Sequence, residues 1–184
     1  KTLAFLLPLL QFLDPDLDEV QALILVPSRE LATQIEQVSR QMGTGFKINA
    51  IYGGRSTSKD KLELQHRPAV LIGTPGRVAD HFARHTFETK YIHSLILDEF
   101  DKSLEIGFEK EMKAIIDALP KLERKVLTSA TDRGEIPGFV RMRNPEILNF
   151  SAQATSRLGI KQLLVPPKEK TRFLVKLLNS TQPG

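Results

Sequence analysis

The chain has 184 residues, 41% of them apolar, which is enough to bury one globular core and excludes disorder along the whole length. Lys and Arg number 26 against 22 Asp and Glu, a net charge of +4 that suits a polyanionic partner without requiring one. There is no Cys, hence no disulfide framework and no thiolate metal site; the four His show no ligand spacing, and no apolar run nears the roughly 18 residues of a membrane span.

The chain opens on Lys1-Thr2 and an apolar helix start, Leu3-Ala4-Phe5-Leu6-Leu7, cut by Pro8. Short apolar runs then recur at Ala22–Val26, Ile48–Tyr52, Val70–Gly73, Ile92–Leu97, Lys125–Thr128 and Glu146–Phe150, each of strand length. Helical spacing separates them, as in Leu31-Ile35-Val38-Met42 and Phe108-Met112-Ile115-Ile116-Leu119. Strands apolar on both faces and alternating with helices predict an α/β fold: a doubly wound, mostly parallel sheet with helices on both sides. After Phe150 a polar stretch containing Pro166-Pro167 leads into a short helical pattern over 169–180. That tail reads as a linker and the start of a second domain, or as a C-terminal helix docking on the first.

In such sheets ligands bind beyond the carboxyl ends of the strands, where this chain concentrates its unusual residues. Pro27-Ser28-Arg29, Gly53-Gly54-Arg55, Thr74-Pro75-Gly76-Arg77, Asp98-Glu99-Phe100-Asp101 and Ser129-Ala130-Thr131 each follow a predicted strand. Paired carboxylates at a strand end suit a hydrated Mg2+ and a water poised to attack a phosphoryl group, although a solvated acidic loop would read the same. Lys-Thr ends a phosphate-binding loop of the form G-x-x-x-x-G-K-[ST] but carries no signal alone. Ser28 and Thr74-Pro75 look like helix starts, with Arg29 and Arg77 in the first turns. A cation is unfavourable at that end of a helix unless an anion arrives there, so capping and phosphate binding both remain open. Aromatics make up only 7% of the chain and Trp is absent, so a nucleic acid would be held by phosphates rather than by stacked bases.

Taken in order, 27-PSRELATQI-35, 53-GGR-55, 74-TPGR-77, 98-DEFD-101 and 129-SAT-131 resemble the first RecA-like domain of DEAD-box ATP-dependent RNA helicases. The likeness runs from Lys1 to about Phe150, and 159-GIKQLLVPPKEKTRFLVKLL-178 is similar to the entry into that family's second RecA-like domain. The resemblance implies that residues 1–150 form the first domain without its Q motif and glycine-rich loop. Residues 151–184 would then be the linker and the start of a truncated second domain.

Site roles follow from the resemblance. ATP and Mg2+ are the implied cofactors. Lys1 and Thr2 bind nucleotide, Thr2 and Asp98 the metal, and Glu99 with Asp98 carries catalysis. Asp101, Ser129 and Thr131 couple nucleotide state to strand separation. Pro27, Ser28, Arg29, Gly54, Arg55, Thr74, Pro75, Gly76 and Arg77 contact the sugar-phosphate backbone of single-stranded or duplex RNA. The second RecA-like domain is the expected intramolecular partner, no membrane is involved, and the location is cytoplasmic. The full protein is expected to hydrolyse ATP and remodel RNA; the present chain is expected to be inactive and to bind ATP weakly or not at all. The alternative is a non-catalytic RNA-binding or protein-docking module. Two positions depart from the family: Ser28 stands for Thr and keeps the hydroxyl, while Phe100 stands for Ala and needs a pocket. The tail from about Ala152 is expected to be disordered or held by a neighbouring chain.

Overall fold

The computed structural model describes residues 1–131, 136–149 and 164–180. Two compact units are present, Lys1–Asn144 and Pro145–Gly184. In the first, five strands, β1 (Ala22–Leu25), β2 (Ile48–Ile51), β3 (Val70–Gly73), β4 (Ser94–Leu97) and β5 (Arg124–Leu127), pair in the order β2-β3-β1-β4-β5. Every pairing is parallel, so the α/β expectation holds. All residues of β1 to β4 are buried, as their continuous apolar runs require in a sheet covered on both faces.

The helices sort onto the two faces by strand alternation. Ala22 and Ile24 pack with Phe5, Leu6 and Leu9 of α1 (Thr2–Leu10) and with Ala32 and Ile35 of α2 (Arg29–Gln41). Leu23 and Leu25 share the other core with Val78 of α4 (Pro75–Ala83), Phe100 of α5 (Phe100–Ile106) and Met112, Ile115 and Ile116 of α6 (Glu109–Asp117). Leu64, which caps α3 (Thr57–Glu63), joins that second core. The split follows from handedness. The chain steps from β1 outward to β2 through α2, then reverses and crosses to β3, β4 and β5; right-handed crossovers put the helices of the two directions on opposite faces. The reversal leaves a crevice beyond the adjacent ends of β1 and β3, where helices of opposite faces begin.

One predicted strand is absent. Residues 146–149 carry no regular structure, and Ile147 and Leu148 are 77% and 71% exposed. The run has strand-like composition but pairs with no strand among the described residues, and an isolated extended segment has no ladder to hold it. Residues 152–163 of the tail lie outside the described residues; Lys170–Ser180 forms a regular helix, α7, over the stretch where the spacing predicts one. Its apolar residues recur at helical spacing, Phe173, Leu174, Leu177 and Leu178, and all are exposed.

Candidate functional site

The two helices that begin at the crevice differ in how they start. Ser28 is extended (φ −138°, ψ 157°), and its Oγ accepts a hydrogen bond from the Leu31 amide at 3.2 Å, closing one free N–H of α2. Thr74 is extended too but makes no side-chain cap bond; Pro75 at the first helical position supplies the fixed φ and has no N–H, and the Arg77 and Val78 amides donate to the Thr74 carbonyl at 3.0 and 3.1 Å, so in that turn the Gly76 amide alone makes no bond among the described residues. The parallel register pairs Leu25 with Gly73, so the segments that follow, Pro27-Ser28-Arg29 and Thr74-Pro75-Gly76-Arg77, leave the sheet side by side. Gly73 is required there: a Cβ would meet Val78 Cγ2 at 2.5 Å and Ile51 O at 2.9 Å. Pro27 and Pro75 are buried, whereas Gly54 and Gly76 are exposed. Gly54 turns the loop after β2 at φ +90°, a conformation that favours glycine.

The three arginines of these segments are not equivalent. Arg29 is 68% exposed, and its guanidinium pairs with the neighbouring Glu30 at 2.6 Å. Arg77, at 12% exposure, donates Nε to Asp60 Oδ2 at 2.7 Å and Nη2 to the Arg55 carbonyl at 3.1 Å. Arg55 lies 2.5 Å from Glu63 and 3.2 Å from the Ala50 carbonyl, with its guanidinium 5.4 Å from the Tyr52 ring centroid. Asp60 also meets His81 Nε2 at 3.3 Å, and the other ring nitrogen of His81 lies 3.2 Å from Thr86 Oγ1. Burial pushes His81 below its ordinary value of 6.5, against the opposing pull of Asp60. Asp60, Glu63 and His81 escaped the sequence reading. Within 57-TSKDKLELQ-65 Asp60 looks like one more solvated acid, and nothing local distinguishes it.

At the next strand ends the chemistry is acidic. Asp98 follows β4 directly and is buried; its amide donates to Leu25 O at 2.9 Å, which locks it to the central strand. Its Oδ1 accepts from the Glu99 amide at 3.1 Å and from the Thr128 hydroxyl. Glu99 takes a left-handed conformation (φ 48°, ψ 49°), unusual for a residue with a side chain, and precedes the first turn of α5. Among the described residues no Lys, Arg or His pairs with Asp98 or Glu99. Thr128 also went unnoticed in the sequence. It stands beside Asp98 because Leu97 pairs with Leu127, a register the sequence does not announce.

Asp101, in the first turn of α5, is 1% exposed. Its Oδ2 accepts from Thr131 Oγ1 at 2.8 Å, and Ser129 Oγ braces Thr131 by donating to its carbonyl (2.7 Å) and accepting from its amide (3.1 Å). Burial pulls the Asp101 carboxyl upward, but hydrogen bonds from Thr131, the Lys102 amide and Ser129 outweigh it and hold the group below the usual carboxylate range. The structure thus brings Asp101, Ser129 and Thr131 together. Phe100 finds its pocket in the core, buried and 6.3 Å from the Phe139 ring centroid. The larger side chain is absorbed beneath the acidic loop.

Lys1 is exposed and Thr2 half-buried at the start of α1. The far end of that helix lies by the start of β5, where the Arg124 guanidinium sits 4.0 Å from the Phe12 ring centroid. The helix therefore runs against the strands and directs Lys1 and Thr2 toward the carboxyl edge that bears Asp98.

Comparison with known proteins agrees with this arrangement. The family model for DEAD/DEAH box helicases matches residues 1–136, and the chain belongs to that family. It is 34% identical to the ATP-dependent RNA helicase CshA of Listeria monocytogenes, over 100% of this chain and 36% of the relative. With the probable ATP-dependent RNA helicase DDX49 of Mus musculus it shares 39% identity over 99% of this chain and 40% of the relative. Among solved structures, a DEAD box protein from Methanococcus jannaschii superposes with TM-score 0.65 at 33% identity, covering 76% of this chain and 38% of the other. The yeast DEAD-box splicing factor Prp28 gives TM-score 0.64 at 29% identity, covering 76% and 35%. The chain thus spans well under half the length of these relatives. No helix among the described residues is long and apolar enough to cross a membrane.

Proposed function

We propose that this chain is the first RecA-like domain of an ATP-dependent RNA helicase, whose whole protein couples Mg-ATP hydrolysis to local opening or remodelling of RNA. The observation that carries the reading is Asp98: a buried carboxylate at a strand end, fixed by a hydroxyl and an amide, with no cation beside it among the described residues. An acid desolvated without a counter-charge is costly unless a cation is meant to join it, and this donor set suits a hydrated Mg2+. Thr2 and Asp98 would hold the ion, which when bound would offset the charge of the nucleotide phosphates.

The chain's own groups divide the remaining work. Lys1 projects from the start of α1 and would reach the phosphates as a point charge. Glu99, half-buried and held in its left-handed turn, has no hydrogen-bond partner for its carboxylate among the described residues and would orient the attacking water and accept its proton. Thr131 and Ser129 join Asp101 to the segment after β5, so movement of either segment is felt by the other. The amides of Gly54 and Gly76 and the exposed Arg29 would offer donors to the sugar-phosphate backbone of RNA, with Pro27, Ser28, Thr74 and Pro75 shaping the helix starts. A second RecA-like domain would complete both sites.

The test measures phosphate release, with and without single-stranded RNA, by a chain extended on both sides with its flanking sequence, as wild type and as Glu99→Gln. RNA-stimulated release in the wild type and a loss of about 100-fold or more in the variant are expected for removal of a general base. Equal rates would sink the hydrolytic reading and leave a non-catalytic module.

A further inference from the structure

We infer that Asp60 is a positioning residue for RNA binding: it sets the spacing and orientation of the two segments Gly54-Arg55 and Thr74–Arg77, and touches no RNA itself. The inference rests on the RNA-helicase reading above. Asp60 is completely buried at the inner face of α3, an unusual place for an acid without a structural debt to settle. Its Oδ2 holds Arg77 at 2.7 Å and His81 at 3.3 Å, both on α4. Arg77 in turn donates to the backbone carbonyl of Arg55 at 3.1 Å. One carboxylate thus ties the first turn of α4 to the loop that follows β2, two segments separated by all of β3 in the chain.

The second oxygen carries the argument further. Asp60 Oδ1 is buried with no hydrogen-bond partner among the described residues, and stands 3.9 Å from Arg55 Nε. Arg55 is instead drawn to the more exposed Glu63. The buried acid therefore attracts Arg55 as well as Arg77, and the two guanidiniums converge on it from the segments they belong to. A carboxylate that cannot reach solvent cannot meet a phosphate, and would repel one; its contribution is to keep Arg77 from swinging and to hold the first turn of α4, with the Gly76 amide, against the loop after β2.

Asp60→Asn keeps the shape and removes the charge. In the extended chain, RNA-dependent ATP hydrolysis should show the KM for RNA raised by about tenfold, the scale on which lost alignment is felt. The maximal rate at saturating RNA should stay within about twofold, and RNA-independent hydrolysis should not change, which loss of a merely structural residue would not achieve. The salt dependence of RNA affinity should keep its slope, because no phosphate contact has been removed. The double variant with Arg77→Lys should raise KM no further than the worse single variant, since Asp60 acts through Arg77. If Asp60→Asn does not fold, Asp60→Glu, which keeps the charge but displaces the carboxylate, is expected to raise KM in the same way. An unchanged KM in a folded Asp60 variant, a slope reduced by one, or additive effects with Arg77→Lys would each overturn the inference. A wild type whose hydrolysis ignores RNA would overturn the underlying reading instead, so the two failures are told apart.

Discussion

Two buried aspartates at the working edge of the sheet are treated in opposite ways. Asp60 is met by Arg77, His81 and, at longer range, Arg55, so its charge is answered within the fold. Among the described residues Asp98 receives only the Thr128 hydroxyl and the Glu99 amide. The contrast separates a charge answered by cations of the fold from one met by neutral donors. A neutralised acid is structural, and removing its charge breaks what was built around it. Asp98, met by neutral donors, is the acid that the proposed reading assigns to a cation.

The comparison can be broken in several places. The largest effect belongs to Glu99→Gln beside Asp98: turnover in the extended chain should fall by about 100- to 10,000-fold while the melting temperature stays put. A comparable loss of both would mean that Glu99 is structural. Next comes the direct contrast between the aspartates. Asp60→Asn should destabilise by about 3 kcal/mol in urea titration, as for a buried pair deprived of one partner, whereas Asp98→Asn should leave stability unchanged or raise it. Equal losses would abolish the distinction.

Thr131→Val removes the hydroxyl that Asp101 accepts from and should cost about 1 kcal/mol, with ATP hydrolysis retained and RNA unwinding lost. Acid sharpens the comparison from the other side. His81 is held below its ordinary value of 6.5 in the fold, so its contribution to stability is complete above that pH and is lost as pH falls below it, when the unfolded chain binds the proton more readily. His81→Gln should flatten the stability profile across that window, and an unaltered slope would count against the assignment. Asp101, also depressed, contributes stability that is lost only at lower pH, as its carboxylate is protonated in the fold. The smallest effect is that of Arg29→Ala, which should reduce the salt slope of RNA affinity by about one without altering the melting temperature. Its exposed guanidinium pairs with the equally exposed Glu30, and such a surface pair carries little stability.

How much of this was legible depended on the distance over which each feature is written. The parallel sheet could be read because continuous apolar runs alternating with helical spacing leave a chain few other ways to bury both faces. The same logic overreached at residues 146–149, where a strand-like run meets no partner strand among the described residues. Ser28 as a helix cap was legible because capping is decided within three residues, and the structure shows the bond to Leu31. Phe100 posed a question the sequence could not answer, since its pocket is supplied in part by Phe139, far along the chain.

The sequence by itself determined the strand and helix alternation, the family and the segments that crowd one edge of the sheet, because each is encoded in local pattern and spacing. Only the tertiary structure decided which charges are answered. The placing of Thr128 beside Asp98 follows from the parallel register of β4 and β5. The gathering of Asp60, Arg77, Arg55 and His81 follows from the packing of α3 and α4 on one face. Coulomb attraction and desolvation act through space, so whether a buried acid's charge is answered within the fold is settled by its neighbours there.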